Sequence, residues 1–303
     1  MTLDREKERI CQDLGNKALL LFARGDLDGA MELHKEEERI CRDLGDKDGL
    51  QQSLGNQATI LYARDNFNGA MKLRKEQERI CRELGNPERL QVSLGIQANI
   101  LADRGDLDGA MELHREEEQI CRKLGDVASL QVSLGNQALI LQARGDLDGA
   151  MKLHREEEQI CRDLGDKDCL QQSLGIQATI LFARGDLDDA MALLREQERI
   201  CRELGNTDGL QVSLYNQANI LRARGDLDGA LACLKEQERI HHDLGNFEGL
   251  AISLLNQAVT LAQQDRRKEA SRMVDEALAI ASKGGCYTSL EVQIRKIKEK
   301  YRF

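Results

Sequence analysis

The sequence has no tryptophan, a single proline and only 3% aromatic residues, although the chain is 303 residues long. One globular core seldom grows beyond about 250–300 residues, so a single compact domain would lie at the upper limit of size. A repeat array avoids this limit because each unit buries its apolar face against its neighbours. The residues that dominate instead, among them Ala, Leu, Glu, Gln, Lys and Arg, are strong helix formers. The composition therefore favours an all-α repeat array.

The sequence also lacks an excess of basic residues and any long apolar run. Its formal net charge is -10, whereas a nucleic-acid-binding protein needs a basic face to replace phosphate counterions. No apolar run approaches the roughly 20 residues that span a bilayer, and the N-terminus is charged from its fourth residue, unlike a signal peptide. We therefore expect a soluble cytoplasmic protein with neither nucleic acid nor membrane as its partner.

The nine cysteines show no metal-binding or redox motif. Five of them recur every 40 residues, at Cys41, Cys81, Cys121, Cys161 and Cys201. Equivalent positions in stacked helical repeats lie at least about 8–10 Å apart, which is too far for a disulfide. We expect these five to be reduced, buried thiols that act as small apolar side chains. Cys11, Cys169, Cys233 and Cys286 fall outside this register and add no pattern.

A 40-residue period runs through the chain and defines seven units, each predicted to contain two helices. In the fourth unit, Leu134, Ala138 and Leu141 follow the spacing of one helix face. Gly145 fits the left-handed position that ends a helix, and Asp146 fits the N-cap of the next helix. Gly165 again has the position of a helix end. Pro87, which follows Asn86, fits the first position of a helix, where its missing N–H does no harm.

The two ends depart from the repeat. Residues 3–16 resemble the end of a second helix fused to a first helix, which predicts one long helix from about Leu3 to Arg24. Residues 287–301 have apolar residues among charges and are predicted to form a C-terminal capping helix, which covers the apolar face that an array exposes at its end.

Two alanine positions give the units their resemblance to the tetratricopeptide repeat (TPR) family, which has small residues where its two antiparallel helices cross. Both positions are Ala in all seven units: Ala18, Ala58, Ala98, Ala138, Ala178, Ala218 and Ala258 in the first helix, and Ala30, Ala70, Ala110, Ala150, Ala190, Ala230 and Ala270 in the second. The 40-residue unit is similar to the extended TPRs of kinesin light chains, Pins-type adaptors and nephrocystin-like proteins. The resemblance implies a right-handed α-α superhelix, a single TPR solenoid over residues 1–303. Its repeats would span about 3–46, 47–86, 87–126, 127–166, 167–206, 207–246 and 247–285, followed by the capping helix.

The sequence departs from the family at the small residue late in the second helix. Six units have Glu or Gln there, at Glu37, Gln77, Glu117, Glu157, Gln197 and Gln237, and only Ala277 keeps the small side chain. A polar side chain on a half-buried face needs a partner. We expect either hydrogen bonds to a neighbouring helix or a wet, loosely packed contact.

In the TPR family the first helices line a concave groove, and an asparagine there binds the backbone of an extended peptide. We call the matching position the groove position. It is Asn in five units and is replaced by Ile96 and Ile176 in the other two. The resemblance therefore implies a partner-binding site at Asn16, Asn56, Asn99, Asn136, Tyr215, Asn216, Asn219, Arg222 and Asn256. Further groove candidates are Phe22, Tyr62 and Phe182. The asparagines could instead form hydrogen bonds between repeats, whereas the glutamines that follow them, from Gln57 to Gln257, are expected to bond between helices.

Glycine precedes the groove position in five units, at Gly15, Gly55, Gly95, Gly135 and Gly175. A glycine within a helix costs about 0.5–1 kcal/mol relative to alanine, so it requires an explanation. Glycine could permit a close helix contact, or it could keep the groove floor open for a ligand backbone. Because Tyr215 and Leu255 occupy the same position in the last units, the open-groove interpretation is slightly favoured, with Tyr215 as a wall or apolar anchor.

The sequence shows no phosphate loop, nucleophile-base pair or metal motif, so neither enzymatic activity nor a cofactor is expected. The repeated Arg-Gly-Asp tripeptide is explained by its place at helix junctions, and His34, His114 and His154 by an apolar position that they replace. The function predicted is a protein-interaction scaffold that binds a protein or peptide of unknown identity. The alternatives are a self-assembling, homo-oligomeric structural solenoid and a ligand-sensing fragment of a larger multidomain protein.

Overall fold

A computed structural model describes residues 2–283 and 288–301 of the chain. The described residues form α-helices joined by short turns, without β-strands. In chain order the helices, α1 to α15, are Thr2–Ala23, Leu27–Leu44, Lys47–Ala63, Phe67–Leu84, Pro87–Asp103, Leu107–Leu124, Val127–Ala143, Leu147–Leu164, Lys167–Arg184, Leu187–Leu204, Thr207–Ala223, Leu227–Asp243, Phe247–Gln263, Arg267–Lys283 and Thr288–Tyr301.

The helices pack in consecutive antiparallel pairs, as the TPR resemblance implies. The structure divides into two compact units, residues 1–153 and 154–303, and the division falls inside α8. Consecutive helices pack against each other from α1 to α7 in one unit and from α9 to α15 in the other. First helices of adjacent repeats also touch, as α5 and α7 do in one unit and α9 and α11 in the other. The predicted all-α TPR-type fold is confirmed.

Local sequence signals determine where the helices start and stop. Gly45 ends α2 in the left-handed conformation, with φ 68°, which a glycine adopts without steric cost. Asp46 then caps α3, its Oδ1 accepting a hydrogen bond from the Gly49 N–H at 3.0 Å. Asp26 does the same for α2, and Pro87 occupies the first turn of α5. The predicted glycine ends and aspartate caps are therefore confirmed.

The core is made of small side chains that let two helices approach closely. Ala58 and Ala70, the alanines at the two crossing positions of the second repeat, are completely buried, and their equivalents in the other repeats are at most 1% exposed. A serine on each of several first helices also donates to a carbonyl of the preceding second helix, as Ser53 Oγ does to the His34 oxygen at 2.6 Å. The close approach of the helices at the alanines and the hydrogen bond from the serine hydroxyl give successive repeats the same contact with each other.

The glutamines after the groove positions bond between helices, as predicted. Each donates from Nε2 to a glutamate of the preceding second helix, at 2.6–2.8 Å in six repeats: Gln57, Gln97, Gln137, Gln177, Gln217 and Gln257. The accepting Glu38 also pairs with Arg42 at 2.8 Å, and its side chain is only 21% exposed. These glutamates therefore tie adjacent helices together, although the arginines that they pair with lie on the exposed side.

The repeated cysteines are buried, as expected, and burial raises the pKa of the Cys81, Cys121 and Cys201 thiols. Cys161 is buried as well, but it is not a free thiol, because the structure joins it to Cys169 in a disulfide with an S–S distance of 2.28 Å. The prediction of a reduced thiol is wrong for Cys161. Cys169 lies in the first turn of α9, eight residues after Cys161, at the position whose Cβ points at the repeated cysteine, so this pair does not follow the 40-residue period. Gly209 has that position beside Cys201.

The predictions for both ends of the chain are confirmed within the described residues. Helix α1 runs without a break from Thr2 to Ala23. Helix α15 begins at Thr288, and the first predicted residue of the capping helix, residue 287, lies outside the described residues. Leu290 and Ile294 of α15 are buried against Val274 and Ala277 of α14, so α15 covers the apolar side of the last pair.

Leu164 lies at the end of α8 and is 49% exposed, although its i, i+3 spacing from the buried Cys161 would place it on the inner side of the helix.

Removing a helix cap is expected to have a moderate effect on stability. Asp126 accepts hydrogen bonds from the backbone N–H and side chain of Ser129 and from Gln91, which hold its pKa below the ordinary 3.8. We expect Asp126→Ala to lower the unfolding free energy by about 1 kcal/mol at pH 7. Because the folded pKa lies below the unfolded one, this contribution is complete above about pH 4 and is lost as the pH falls through the folded pKa.

Urea unfolding of Asp126→Ala and wild type between pH 7 and pH 2 measures this loss. The exposed Glu112→Ala on α6 serves as a control that removes a carboxylate without removing a cap. A loss of equal size at pH 2 and pH 7 would contradict the capping role.

Candidate functional site

The first helices of the repeats expose a stripe of polar and apolar side chains. On α5, Val92, Ile96 and Asn99 are spaced i, i+4 and i+7 and lie on one side of the helix. The same spacing joins Val132, Asn136 and Leu139 on α7, which packs beside α5. We call this exposed side of the odd-numbered helices α1 to α13 the first-helix face and describe it separately in each unit.

In the unit of residues 1–153, a cavity of about 320 Å³ opens on the first-helix face and is lined by residues of α3, α5, α6 and α7. Two predicted site residues meet there, because Asn136 Nδ2 donates to Asn99 Oδ1 at 3.2 Å. Tyr62 also lines the cavity and donates from its hydroxyl to Asp103 Oδ2 at 3.3 Å. The Asn99–Asn136 bond supports the interpretation that the asparagines link repeats, and it leaves further donors and acceptors on both amides for a ligand.

A second cavity of the same unit, about 170 Å³ in volume, lies between α3, α4 and α5. The predicted residue Asn56 lines it together with Thr59, and Val92 and Ile96 supply an apolar wall. Two arginines, Arg74 and Arg89, also line it, although neither was expected at the site.

In the unit of residues 154–303, Asn216 and Asn219 of α11 line a small pocket with Phe182 of α9. Arg222, one turn further along α11, donates to Asn219 Oδ1. Tyr215 is 37% exposed beside them. Four of the predicted residues thus lie together on α11, next to the predicted Phe182.

The remaining predicted residues lie apart from these groups. Asn16 is exposed on α1, and Asn256 is half-buried on α13. The structure places every predicted site residue on a first helix, but it groups them locally instead of joining them into one pocket.

The structure supports the close-contact interpretation of the glycines and not the slightly favoured open groove floor. Gly15 and Gly55 are buried, and a Cβ added to Gly15 would lie 2.7 Å from Glu37 Oε1. Gly55 and Gly175 face Gln77 and Gln197 in the same way, and Gly95 faces Glu117. The glycines therefore permit a close contact with the second helix of the same pair and provide the space for its polar side chain.

The same contact corrects the expectation of loose packing at Glu37. Glu37 is 5% exposed, packs on Gly15 and bonds to His34 Nδ1 at 2.7 Å, within its own helix. Gln77 instead donates to the Gln51 carbonyl of the neighbouring helix at 2.9 Å. In the last repeat the first helix has the large side chain, Leu255, and the second helix has the small one, Ala277. The two pack together in one apolar cluster.

Exposed apolar residues, which were not predicted as site residues, accompany the asparagines on the first helices. Val92, Val132 and Val212 are 48%, 56% and 52% exposed on first helices, so about half of each apolar side chain remains in contact with water. Each lies four residues before the groove position, so the helical spacing could have indicated them. Such exposed apolar residues on one face are typical of an interaction surface.

Within the described ranges, no group of three or more His, Cys, Asp or Glu side chains is placed to hold a metal ion. His34, His114 and His154 are almost completely buried, each bonded to a glutamate three residues later. None of the helices that the structure describes is long and apolar enough to cross a membrane.

The sequence model of the family described as the MalT-like TPR region matches residues 14–291, and the chain belongs to this family. A sequence comparison with curated proteins finds no match.

Solved structures with the same architecture are distant in sequence. The STAND signal transduction ATPase PH0952 of Pyrococcus horikoshii, which has a tetratricopeptide repeat sensor, is 14% identical, with a TM-score of 0.79. The similarity covers 99% of this chain but only 45% of that protein. A Rap protein in complex with Competence and Sporulation Factor is 15% identical, with coverage of 90% and 75% and a TM-score of 0.56. A kinesin light chain-like protein of Podospora anserina is 21% identical, with coverage of 66% and 98% and a TM-score of 0.57.

Proposed function

We propose that the chain is a binding module that holds an extended peptide or a partner's segment on its first-helix face. The observation that carries this proposal is the repeated combination of asparagine amides and exposed apolar side chains on successive first helices. An amide both donates and accepts, so it suits a peptide backbone, and an apolar neighbour suits alternate side chains of the same peptide.

The structural neighbours support a role in protein interaction or ligand sensing. The Rap protein was solved in complex with Competence and Sporulation Factor, and the repeats of PH0952 are described as a sensor. Both share the fold of this chain, and neither identifies its partner.

Replacing asparagines of the first-helix face by arginine tests the proposal. A random peptide library is first selected on the wild-type protein, and the affinity of the selected peptides is then measured by fluorescence anisotropy. We expect the triple variant Asn56→Arg, Asn136→Arg, Asn216→Arg to bind them at least about tenfold more weakly, a loss of roughly 1.4 kcal/mol. The bulk and charge of arginine would displace a backbone that lies against the amides.

Gln119→Arg is the matched control, since it exchanges an exposed amide for arginine on the second helix α6. It should leave the affinity unchanged, and circular dichroism should show the same helix content in all variants. Undiminished binding of every selected peptide by the triple variant would refute the proposed face.

The second candidate is a ligand-sensing segment of a longer protein. The repeat sensor of PH0952 favours it, because this chain matches less than half of that protein's length. In this case the same face would bind the ligand, and an effector domain outside this chain would respond to it.

A further inference from the structure

The second repeat contains a buried cation where other repeats have a histidine or an apolar residue. The position carries His34, Arg74, His114, His154, Leu194, Leu234 and Val274 in the seven repeats. Arg74 is 3% exposed, and burial lowers its pKa to about 10, so the guanidinium remains charged at neutral pH. The second repeat alone therefore places a permanent positive charge at this position.

The repeats with histidine supply a carboxylate partner, but the second repeat does not. His34 bonds to Glu37 at 2.7 Å, and His114 to Glu117 at 2.8 Å. The residue that corresponds to these glutamates is Gln77, which accepts from Arg74 Nη1 at 2.8 Å. Within the described part of the chain, no ion pair satisfies Arg74. A buried charge is normally paired, and Arg74 therefore retains the capacity to pair with a carboxylate.

The hydrogen bonds of the Arg74 guanidinium leave part of its capacity unused. Nη2 donates to Thr59 Oγ1 at 2.8 Å, and Nη1 donates to Gln77. The buried Nε has no partner in the described structure. Because a guanidinium has five N–H donors in a planar fork, these two contacts leave donors for a carboxylate.

The cavity beside Arg74 has the size and charge that a carboxylate requires. Its volume is about 170 Å³, and it opens on the first-helix face. Arg89, which donates to Gln52 Oε1 at 3.1 Å, brings a second guanidinium, while Asn56 supplies an amide. Of the described residues that line the cavity, none is acidic. In a chain with a net charge of -10, this is a local site of the opposite sign.

We infer that this cavity binds a carboxylate of the bound peptide, with Arg74 as the buried counter-ion and Arg89 at the entrance. The inference rests on the proposed function, since it assigns the ligand chemistry of one part of the same face. The carboxylate comes either from the C-terminus of the peptide or from an Asp or Glu side chain. Val92 and Ile96 would contact the residue that precedes or follows it.

Three short peptides distinguish these sources. Acetyl-Ala-Ala carries a C-terminal carboxylate, acetyl-Ala-Glu-Ala amide carries only a side-chain carboxylate, and acetyl-Ala-Gln-Ala amide carries neither. Each is titrated into ¹⁵N-labelled protein while the Nε–H resonance of Arg74 is followed, assigned by its disappearance in Arg74→Leu. We expect at least one carboxylate peptide to shift this resonance saturably and the neutral peptide to leave it unchanged.

The variant Arg74→Leu gives the second repeat a pair of residues that the fifth repeat already has, because Leu194 and Gln197 occupy the positions of Arg74 and Gln77 there. It should weaken binding of the carboxylate peptide, measured by calorimetry, at least tenfold. Lys75→Gln removes the same charge from the exposed side of α4 and should leave the affinity unchanged.

The inference is overturned if neither carboxylate peptide shifts the Arg74 resonance, if the neutral peptide binds equally well, or if Arg74→Leu retains full affinity. The carboxylate that binds more tightly identifies the source. Failure here is distinguishable from failure of the proposed function. If the asparagine variants bind the selected peptides more weakly while the carboxylate peptides do not bind, binding on the first-helix face is supported and only the carboxylate site is refuted.

Discussion

Gly95→Leu is expected to lower the free energy of unfolding by about 2–4 kcal/mol, which is a large effect for a single substitution that adds an apolar side chain. Gly95 is buried, and any Cβ there would overlap the Glu117 carboxylate. Glu117 cannot move aside without cost, because it is buried and bonded to His114 at 2.8 Å. Better helix propensity returns only about 1 kcal/mol of the loss.

The last repeat shows how this loss can be reversed. There the positions of Gly95, His114 and Glu117 carry Leu255, Val274 and Ala277, which pack in one buried apolar cluster. The triple variant Gly95→Leu, His114→Val, Glu117→Ala should therefore recover most of the stability that Gly95→Leu loses. The background variant His114→Val, Glu117→Ala, which leaves a cavity beside Gly95, should be less stable than the triple variant.

Urea unfolding followed by circular dichroism gives the free energy of unfolding of the wild type and of the single, double and triple variants. The coupling free energy between Gly95→Leu and the other two changes should reach about 2–3 kcal/mol. Additive losses in the triple variant would contradict the explanation of the glycines as space for a buried polar side chain.

Arg74→Leu is expected to raise the free energy of unfolding by about 1–3 kcal/mol, although most core substitutions lower it. The buried guanidinium has no carboxylate partner in the described structure, and its Nε has no hydrogen bond. Leucine would remove the desolvation cost of this charge and still fill much of the space. Gln77 would lose one donor, but the equivalent Gln197 Oε1 is already without a partner beside Leu194.

His34→Leu is the matched control in the preceding repeat and should have the opposite sign. It removes the partner of the buried Glu37 and leaves that carboxylate without its hydrogen bond at 2.7 Å. Urea unfolding of both variants provides the test. If Arg74→Leu destabilises the protein as much as His34→Leu does, Arg74 is not an uncompensated charge, and the physical basis of the carboxylate site disappears.

The sequence was sufficient to predict helix pairs and their junctions, because the signals for both are local. Gly45 and Asp46 end one helix and start the next through hydrogen bonds within a few residues. The repeat then shows which local signals belong together, and Ala58 marks the place where the helices cross.

The contacts between helices were harder to predict because they depend on which faces meet. The partner of Gly15 is Glu37, 22 residues away on another helix, so the glycines were assigned to an open groove. The exposure of Val92 depends on the position of neighbouring helices, and the pairing of Cys161 with Cys169 depends on where α9 starts. For the site, the sequence indicated the asparagines, whereas the cavity beside Arg74 required the structure.

Hydrogen–deuterium exchange with a selected peptide bound tests the central claim, binding on the first-helix face, most directly. We expect added protection in the first helices of the unit that the peptide occupies, α3, α5 and α7 in one unit or α11 in the other, and none in the exposed residues of α4, α6 and α10. Protection of those even-numbered helices with α3, α5, α7 and α11 unchanged would contradict it.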